Sequence, residues 1–249
     1  YVLDGQMNIT GKLEGIAPDE SIYAARFMGD RLYLVTFRQV DPFFVIDLSG
    51  DPPKVLGELK LPGFSNYLHP YDQDHIIGIG KETSDNGAQT LGVKMALFDV
   101  SDVSSPKAVD TYQIGGPQTE SEALNDHKAF LFDREKNVLS IPIFSPDQYY
   151  TGEGGVEPFN NSGEESGPWN GFYVFGIDGE KQFELRGLVE HESNYSGSGN
   201  RSFYINSTLY TVTPALMKMS DLENIEEINQ ISLQGTGRLV DYLDANPSQ

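Results

Sequence analysis

Residues 43–60 read FFVIDLSGDPPKVLGELK, and residues 95–112 read MALFDVSDVSSPKAVDTY. Each is an apolar run closed by Asp, then Leu or Val, then Ser. Each passes through a short turn to Pro-Lys and then enters a second alternating run. The two stretches start 52 positions apart (95 − 43 = 52). A chain that writes one supersecondary unit twice is constrained more by that repeat than by any local propensity, because stacked copies must bury one another's faces.

The flanks extend the unit. Upstream of the first copy, SIYAARF and RLYLVTF are separated by Met28-Gly29-Asp30, a hairpin signal. Residues 21–61 therefore predict four short strands: IYAARF, LYLVTF, FFVIDL and VLGELKL. The same order recurs in NYLHPY, HIIGIG, MALFDVS and KAVDTYQI, with a turn at Asp72-Gln73-Asp74. A third unit begins SEALNDHKAFLFDREKNVLSIPIF, turns at Arg134–Asn137, and continues past a long insertion to GFYVFGID and FELRGLVEH. A compressed fourth unit holds RSFYIN, TLYTVTP, LMKMSDL and EEINQISL.

Val, Ile, Tyr, Phe and Thr dominate these runs, and no helical period is sustained for three turns. Four strands recurring every roughly 40 to 50 residues are the mark of an all-β propeller built from four-stranded antiparallel blades. The expected parts are the outer half of a preceding blade (1–16), blades at 21–64, 65–116, 121–191 (with an insertion at 145–170) and 200–233, and a tail at 234–249. HIIGIG and AFLFD read as inner strands buried on both faces. On this count the expectation is the C-terminal part of a larger propeller.

The chain has 249 residues, 38% hydrophobic and 11% aromatic, enough for a sizeable core. No apolar run approaches the length of a membrane span. The net charge of −20 argues against nucleic acid, whose phosphates are bound by clustered Lys and Arg. With no Cys, disulfides, thiol catalysis and Cys-based metal sites are excluded. N-x-S/T sequons at Asn8, Asn160, Asn194, Asn200 and Asn206 suit an exported, glycosylated, extracellular or cell-surface protein.

Three blocks carry a resemblance: RFMGDRLYLVTFRQVDPFFVIDLS (26–49), LGELKLPGFSNYLHPYDQDHIIGIGKET (56–83) and SEALNDHKAFLFDREKNVLSIPI (121–143). They resemble a family of secreted archaeal and bacterial proteins with a C-terminal β-propeller domain distantly related to WD repeats. The similarity weakens over 145–170 and after Gln234. It implies the propeller fold, a surface-associated location and more propeller before Tyr1. It brings no catalytic residues.

The candidate chemistry is sparse. His127, in Asn125-Asp126-His127-Lys128, and His69, in Leu68-His69-Pro70-Tyr71, sit at equivalent places in successive units. Inner-strand approaches ring a propeller's channel. His127, Asp126 and His69 therefore form a candidate acid–base or metal site together with Asp72 and Glu122. The competing reading is structural, with each His and acid fixing a hairpin within its own blade. The loop formula for calcium is absent, which leaves Ca²⁺ only to a site assembled from several blades. No G-x-S-x-G, H-E-x-x-H or P-loop occurs.

The insertion SPDQYYTGEGGVEPFNNSGEESGPWN carries Tyr149, Tyr150, Phe159 and Trp169 among Gly and Ser, the makeup of an adaptable contact surface. The functional expectation is a non-catalytic surface scaffold that binds a surface protein, an envelope polymer or copies of itself through these aromatics. The alternatives are a polymer-active hydrolase or lyase at the channel mouth, and a metal-stabilised structural module.

Overall fold

The computed structural model describes residues 1–37, 41–84, 87–146, 168–191 and 199–233. A short hairpin of β1 (Val2–Leu3) and β2 (Ile9–Gly11) precedes four antiparallel four-stranded sheets. The first holds β3 (Ser21–Met28), β4 (Arg31–Phe37), β5 (Asp41–Asp47) and β6 (Lys54–Leu61). The second holds β7 (Phe64–Pro70), β8 (His75–Thr83), β9 (Thr90–Asp99) and β10 (Lys107–Ile114). The third holds β11 (Leu131–Asp133), β12 (Val138–Ser145), β13 (Trp169–Ile177) and β14 (Phe183–His191). The fourth holds β15 (Arg201–Ile205), β16 (Thr208–Val212), β17 (Leu216–Asp221) and β18 (Glu227–Ser232). In every sheet the spatial order is the chain order. First strands of successive sheets pack together, β3 on β7 and β11 on β15, so the sheets are blades stacked about a common hub.

Stacking explains the continuous apolar runs. Every residue of β13 is buried, because its two faces serve different neighbours. Tyr173 and Phe175 join Ile77, Met95 and Leu97 of the second blade, while Phe172 and Val174 join Leu209 and Leu222 of the fourth. Between the first two blades, Tyr33, Val35 and Phe43 meet Leu68, Ile76 and Phe98, with Phe43 stacked on Phe98 at 4.5 Å. The outermost strand of the fourth blade, β18, is exposed throughout.

The repeated Asp-Leu/Val-Ser has a physical cause. Asp47 and Asp99 close the third strand of their blades, and each Oδ1 accepts from the backbone N–H of the second residue on, Ser49 or Ser101, at 2.9 Å. The Ser hydroxyls donate to the same oxygens at 2.7 and 2.6 Å. These are side-chain turns of the kind Asp forms with its own backbone. Asp178 and Asp221 do the same in the other blades, accepting from the amides of Glu180 and Glu223. The residue after Asp then ties this turn to the first hairpin: Leu48 N donates to Asp30 O, Val100 N to Asp74 O, and Leu222 N to Ser207 O, at 2.7–2.8 Å.

One strand differs from the sequence reading. AFLFD is not a full inner strand. Residues 122–124 and 127–129 form two 3₁₀ turns, and only Leu131–Asp133 pair as β11. Ser121 and Asp126 accept from the amides of Ala123 and Lys128 and so start these turns, and that local satisfaction competes with the ladder.

Gly80, in β8, lets the backbone of β7 approach so closely that an added Cβ would overlap the Phe64 carbonyl, whereas one at Gly179 would meet nothing. Gly80→Ala should therefore destabilise by at least ~2 kcal/mol, and Gly179→Ala should leave the denaturation midpoint almost unchanged. Urea unfolding monitored by far-UV circular dichroism checks both.

Candidate functional site

Strands alternate direction, so second-to-third-strand connections and blade-to-blade connections emerge at one end of the blades. The end of β12 and the start of β13, and the end of β14 and the start of β15, are all at that end. Ser145 pairs with Trp169 and Phe144 with Asn170, so the insertion is shorter than 145–170. Trp169 belongs to β13. It is 7% exposed and packs edge-on against Tyr173 at 5.2 Å, so it is a core side chain and not a contact residue. Tyr149, Tyr150 and Phe159 lie outside the described residues.

At the hub, His69 of β7 and His127 of the second 3₁₀ turn flank one phenol. His69 Nδ1 is 3.0 Å from the Tyr67 hydroxyl, and the His127 ring stacks on Tyr67 at 6.4 Å between centroids. His69 also packs against Phe130 and Phe132. Burial, with a contribution from the positive charge of Arg26, pushes its pKa down to about 4. His69 is thus neutral at pH 7, within an aromatic nest.

The acids predicted to join these histidines turn elsewhere. Asp126 Oδ2 accepts from Arg201 Nη2 at 2.6 Å, and Glu122 Oε1 from Arg201 Nη1 at 2.8 Å. Glu122 also accepts from the amides of Gly199 and Asn200 at 2.9–3.0 Å. Burial by itself would raise the Glu122 carboxyl, but these donors outweigh it and hold the pKa below the usual value. Asp126, held chiefly by the Lys128 amide, is lowered too. Asp72 pairs with His75 at 2.8 Å in its own hairpin, with Arg134 at 3.7 Å. The expected convergence of His127, Asp126, His69, Asp72 and Glu122 on one centre therefore does not occur. A hydrogen bond within one hairpin and the charge of Arg201 divide the acids into an intra-blade pair and an inter-blade tie. Among the described residues no group of three or more His, Asp or Glu could hold a metal ion.

His191 closes β14, 3% exposed, with Nε2 2.9 Å from Thr211 Oγ1 of the fourth blade. Burial brings its pKa to about 4 as well. Of the sequons, Asn8 and Asn206 are exposed at hairpin tips, and Asn160 and Asn194 lie outside the described residues. Asn200 is 7% exposed, which leaves a glycan no room on the folded chain, so it is not an acceptor there. Arg201 and Tyr67 went unread in the sequence. One Arg among 37 acidic residues gives no sign of which acids it will meet.

A repeat of four-stranded blades around a hub defines a β-propeller. The chain belongs to the β-propeller domain family, whose model matches residues 1–225. It is 36% identical over 236 residues to an uncharacterized protein of Archaeoglobus fulgidus, covering 94% of this chain and 31% of that protein. It is likewise 36% identical over 235 residues to an uncharacterized protein of Methanocaldococcus jannaschii, covering 94% and 32%. The chain thus spans about a third of the length of these relatives. Among solved structures it is similar to Saccharomyces cerevisiae Sqt1 (TM-score 0.49, 9% identity, 85% of this chain and 48% of that one). It is also similar to apo AztD from Citrobacter koseri (TM-score 0.48, 13% identity, 86% and 47%). Likenesses at this level carry no functional argument.

These contacts make two testable predictions. Arg201→Met should cost about 2 kcal/mol, since it strips charged hydrogen bonds from the half-buried Glu122. Thermal melts check it, and Arg201→Lys should restore part of the loss. The second concerns pH. In the folded chain His69 and His191 bind protons only near pH 4, whereas in the unfolded chain they bind near 6.5. The unfolded state therefore binds more protons between these values, and stability falls as pH drops below about 6.5. At pH 5 the fall should reach about 2 kcal/mol for His191, and less for the more accessible His69. Urea midpoints at pH 7.5 and 5 should converge in a His69→Gln/His191→Gln double variant. An undiminished pH dependence would contradict the assignment.

Proposed function

We propose that this chain is a non-catalytic binding scaffold: an exported, surface-associated β-propeller, distantly related to WD-repeat propellers, that docks a surface protein or envelope polymer. The observation that carries this reading is where the longest connection is mounted. Residues 146–168 leave and re-enter the sheet through β12 and β13, and β13 is buried along its whole length. A loop on so rigid a base can vary in sequence without disturbing the core, and loops positioned by a rigid scaffold carry a disproportionate share of binding contacts. The fate of the hub acids supports the same reading. Asp126 and Glu122 are held by Arg201 and are poorly placed to serve His127 as an acid–base partner.

The contacts proposed are Tyr149, Tyr150 and Phe159; Trp169 is set aside as core. Exposed Asn8 and Asn206 are the described positions proposed to carry glycan. A Tyr149→Ala/Tyr150→Ala variant should keep the wild-type melting temperature and lose at least about tenfold in capture of envelope components from the source cells. His127→Gln should leave capture unchanged. Equal capture by the tyrosine variant would overturn the assignment of the contact. Turnover of an envelope polymer that His127→Gln abolishes would replace the scaffold reading with the hydrolase one.

A further inference from the structure

The basic side chains that are buried or half-buried almost all have visible partners. Lys81, Lys94, Arg201 and Lys218 each hold a carboxylate at 2.6–2.8 Å. Arg186 donates to three backbone carbonyls. Arg26 is different. It lies on the hub strand β3, half-buried, directly opposite Tyr33 of β4 in the ladder. Its Nε is buried, and no acceptor takes it. No carboxylate among the described residues pairs with it, although the chain carries 37 acidic residues.

On the two strands next to β3, other polar atoms are left open. Tyr33, on the same sheet face, is fully enclosed, and its hydroxyl has no partner. Asn66 Oδ1, on β7, which packs against β3, is also buried without one. The positive charge of Arg26 is felt by Tyr67 and His69 on β7. Buried donors and acceptors left unsatisfied by the protein mark a place for a water, an ion or a ligand. Here the unsatisfied groups are the guanidinium of hub strand β3, the Tyr33 phenol opposite it on β4, and Asn66 on β7, the hub strand packed against β3; the planar fork of a guanidinium matches a carboxylate. Tyr23, three residues before Arg26 on the same strand, is 38% exposed and contacts Phe37 and, across the seam to β7, Phe64 edge-on, giving a partly open aromatic surface along that seam. The net charge of −20 works against anions everywhere else on the molecule, so an anion held here must be held by local geometry.

We infer that the seam between β3 and β7 is a receptor for a carboxylate group, taken by the Arg26 fork, and that the Tyr23 surface favours a sugar acid as the ligand that brings it. This site is separate from the contact proposed for 146–168 and stands whether or not that contact does.

The test is a titration of the intact chain with galacturonate, acetate and galactose, reading the Arg26 Nε–Hε resonance by two-dimensional NMR and the heat by calorimetry. Galacturonate is expected to shift that resonance saturably, galactose not at all, and Arg26→Gln to weaken binding at least about tenfold. Arg26→Lys should bind more weakly than wild type, because it keeps the charge and loses the fork. Acetate binding as tightly as galacturonate would support the carboxylate receptor and overturn the sugar-acid preference. Galactose binding as tightly as galacturonate would overturn the carboxylate assignment. So would the absence of any saturable shift of the wild-type Arg26 resonance, whatever the folding of the variants.

Discussion

Each blade holds its shape through an Asp that ends the third strand and bonds its own backbone two residues on. The bond is small, but the rest of the blade depends on it. It fixes where the third strand stops and turns the chain into the outer strand, and in the first, second and fourth blades the next amide reaches the first hairpin. Val100 N to Asp74 O and Leu48 N to Asp30 O are the same contact in successive blades. In the third blade the first hairpin is tied differently, with Asn137 Oδ1 accepting from Ile177 N at 2.8 Å, and a sheet so tied is rigid enough to bury two faces at once. Phe172 and Phe175, three residues apart on β13, can then serve different neighbours. The continuous burial of β13 depends on this, and so does the mounting of the connection 146–168.

Charge does the corresponding work between blades. Arg201 enters the fourth blade beside Glu122 and Asp126 of the third, and the Gly199 and Asn200 amides close on the same carboxylate. In so acidic a chain such ties hold the acids to the cations beside them. That is why the histidines and acids at the hub form separate structural contacts in place of one reactive centre, and why Arg26, with no carboxylate paired to it among the described residues, stands out.

The fold class was legible because the repeat sits in residues whose chemistry is local: IDLS and FDVS show both the strand and the turn that ends it. What depended on partners far along the chain was not. His69 and His127 are 58 positions apart (127 − 69 = 58), and both contact Tyr67, which no spacing singles out. Trp169 looked like a loop aromatic because it comes straight after Gly-Pro, yet pairing with Ser145 draws it into the sheet. AFLFD looked like a strand because its apolar run is real, but Asp126 and Ser121 satisfy the preceding backbone locally and shorten it. Asn200 shows the limit of a three-residue motif: the sequon is present, and the packing of the fourth blade buries it.

The most direct measurement is quantitative cross-linking mass spectrometry on intact source cells, comparing the native protein with a version in which residues 147–167 are replaced by Asn-Gly. The account predicts that a defined surface protein or polymer is cross-linked to the native protein and lost from the shortened one, with both folded to the same extent. Identical cross-links from the two proteins would contradict it and would move the contact from this connection to another part of the propeller.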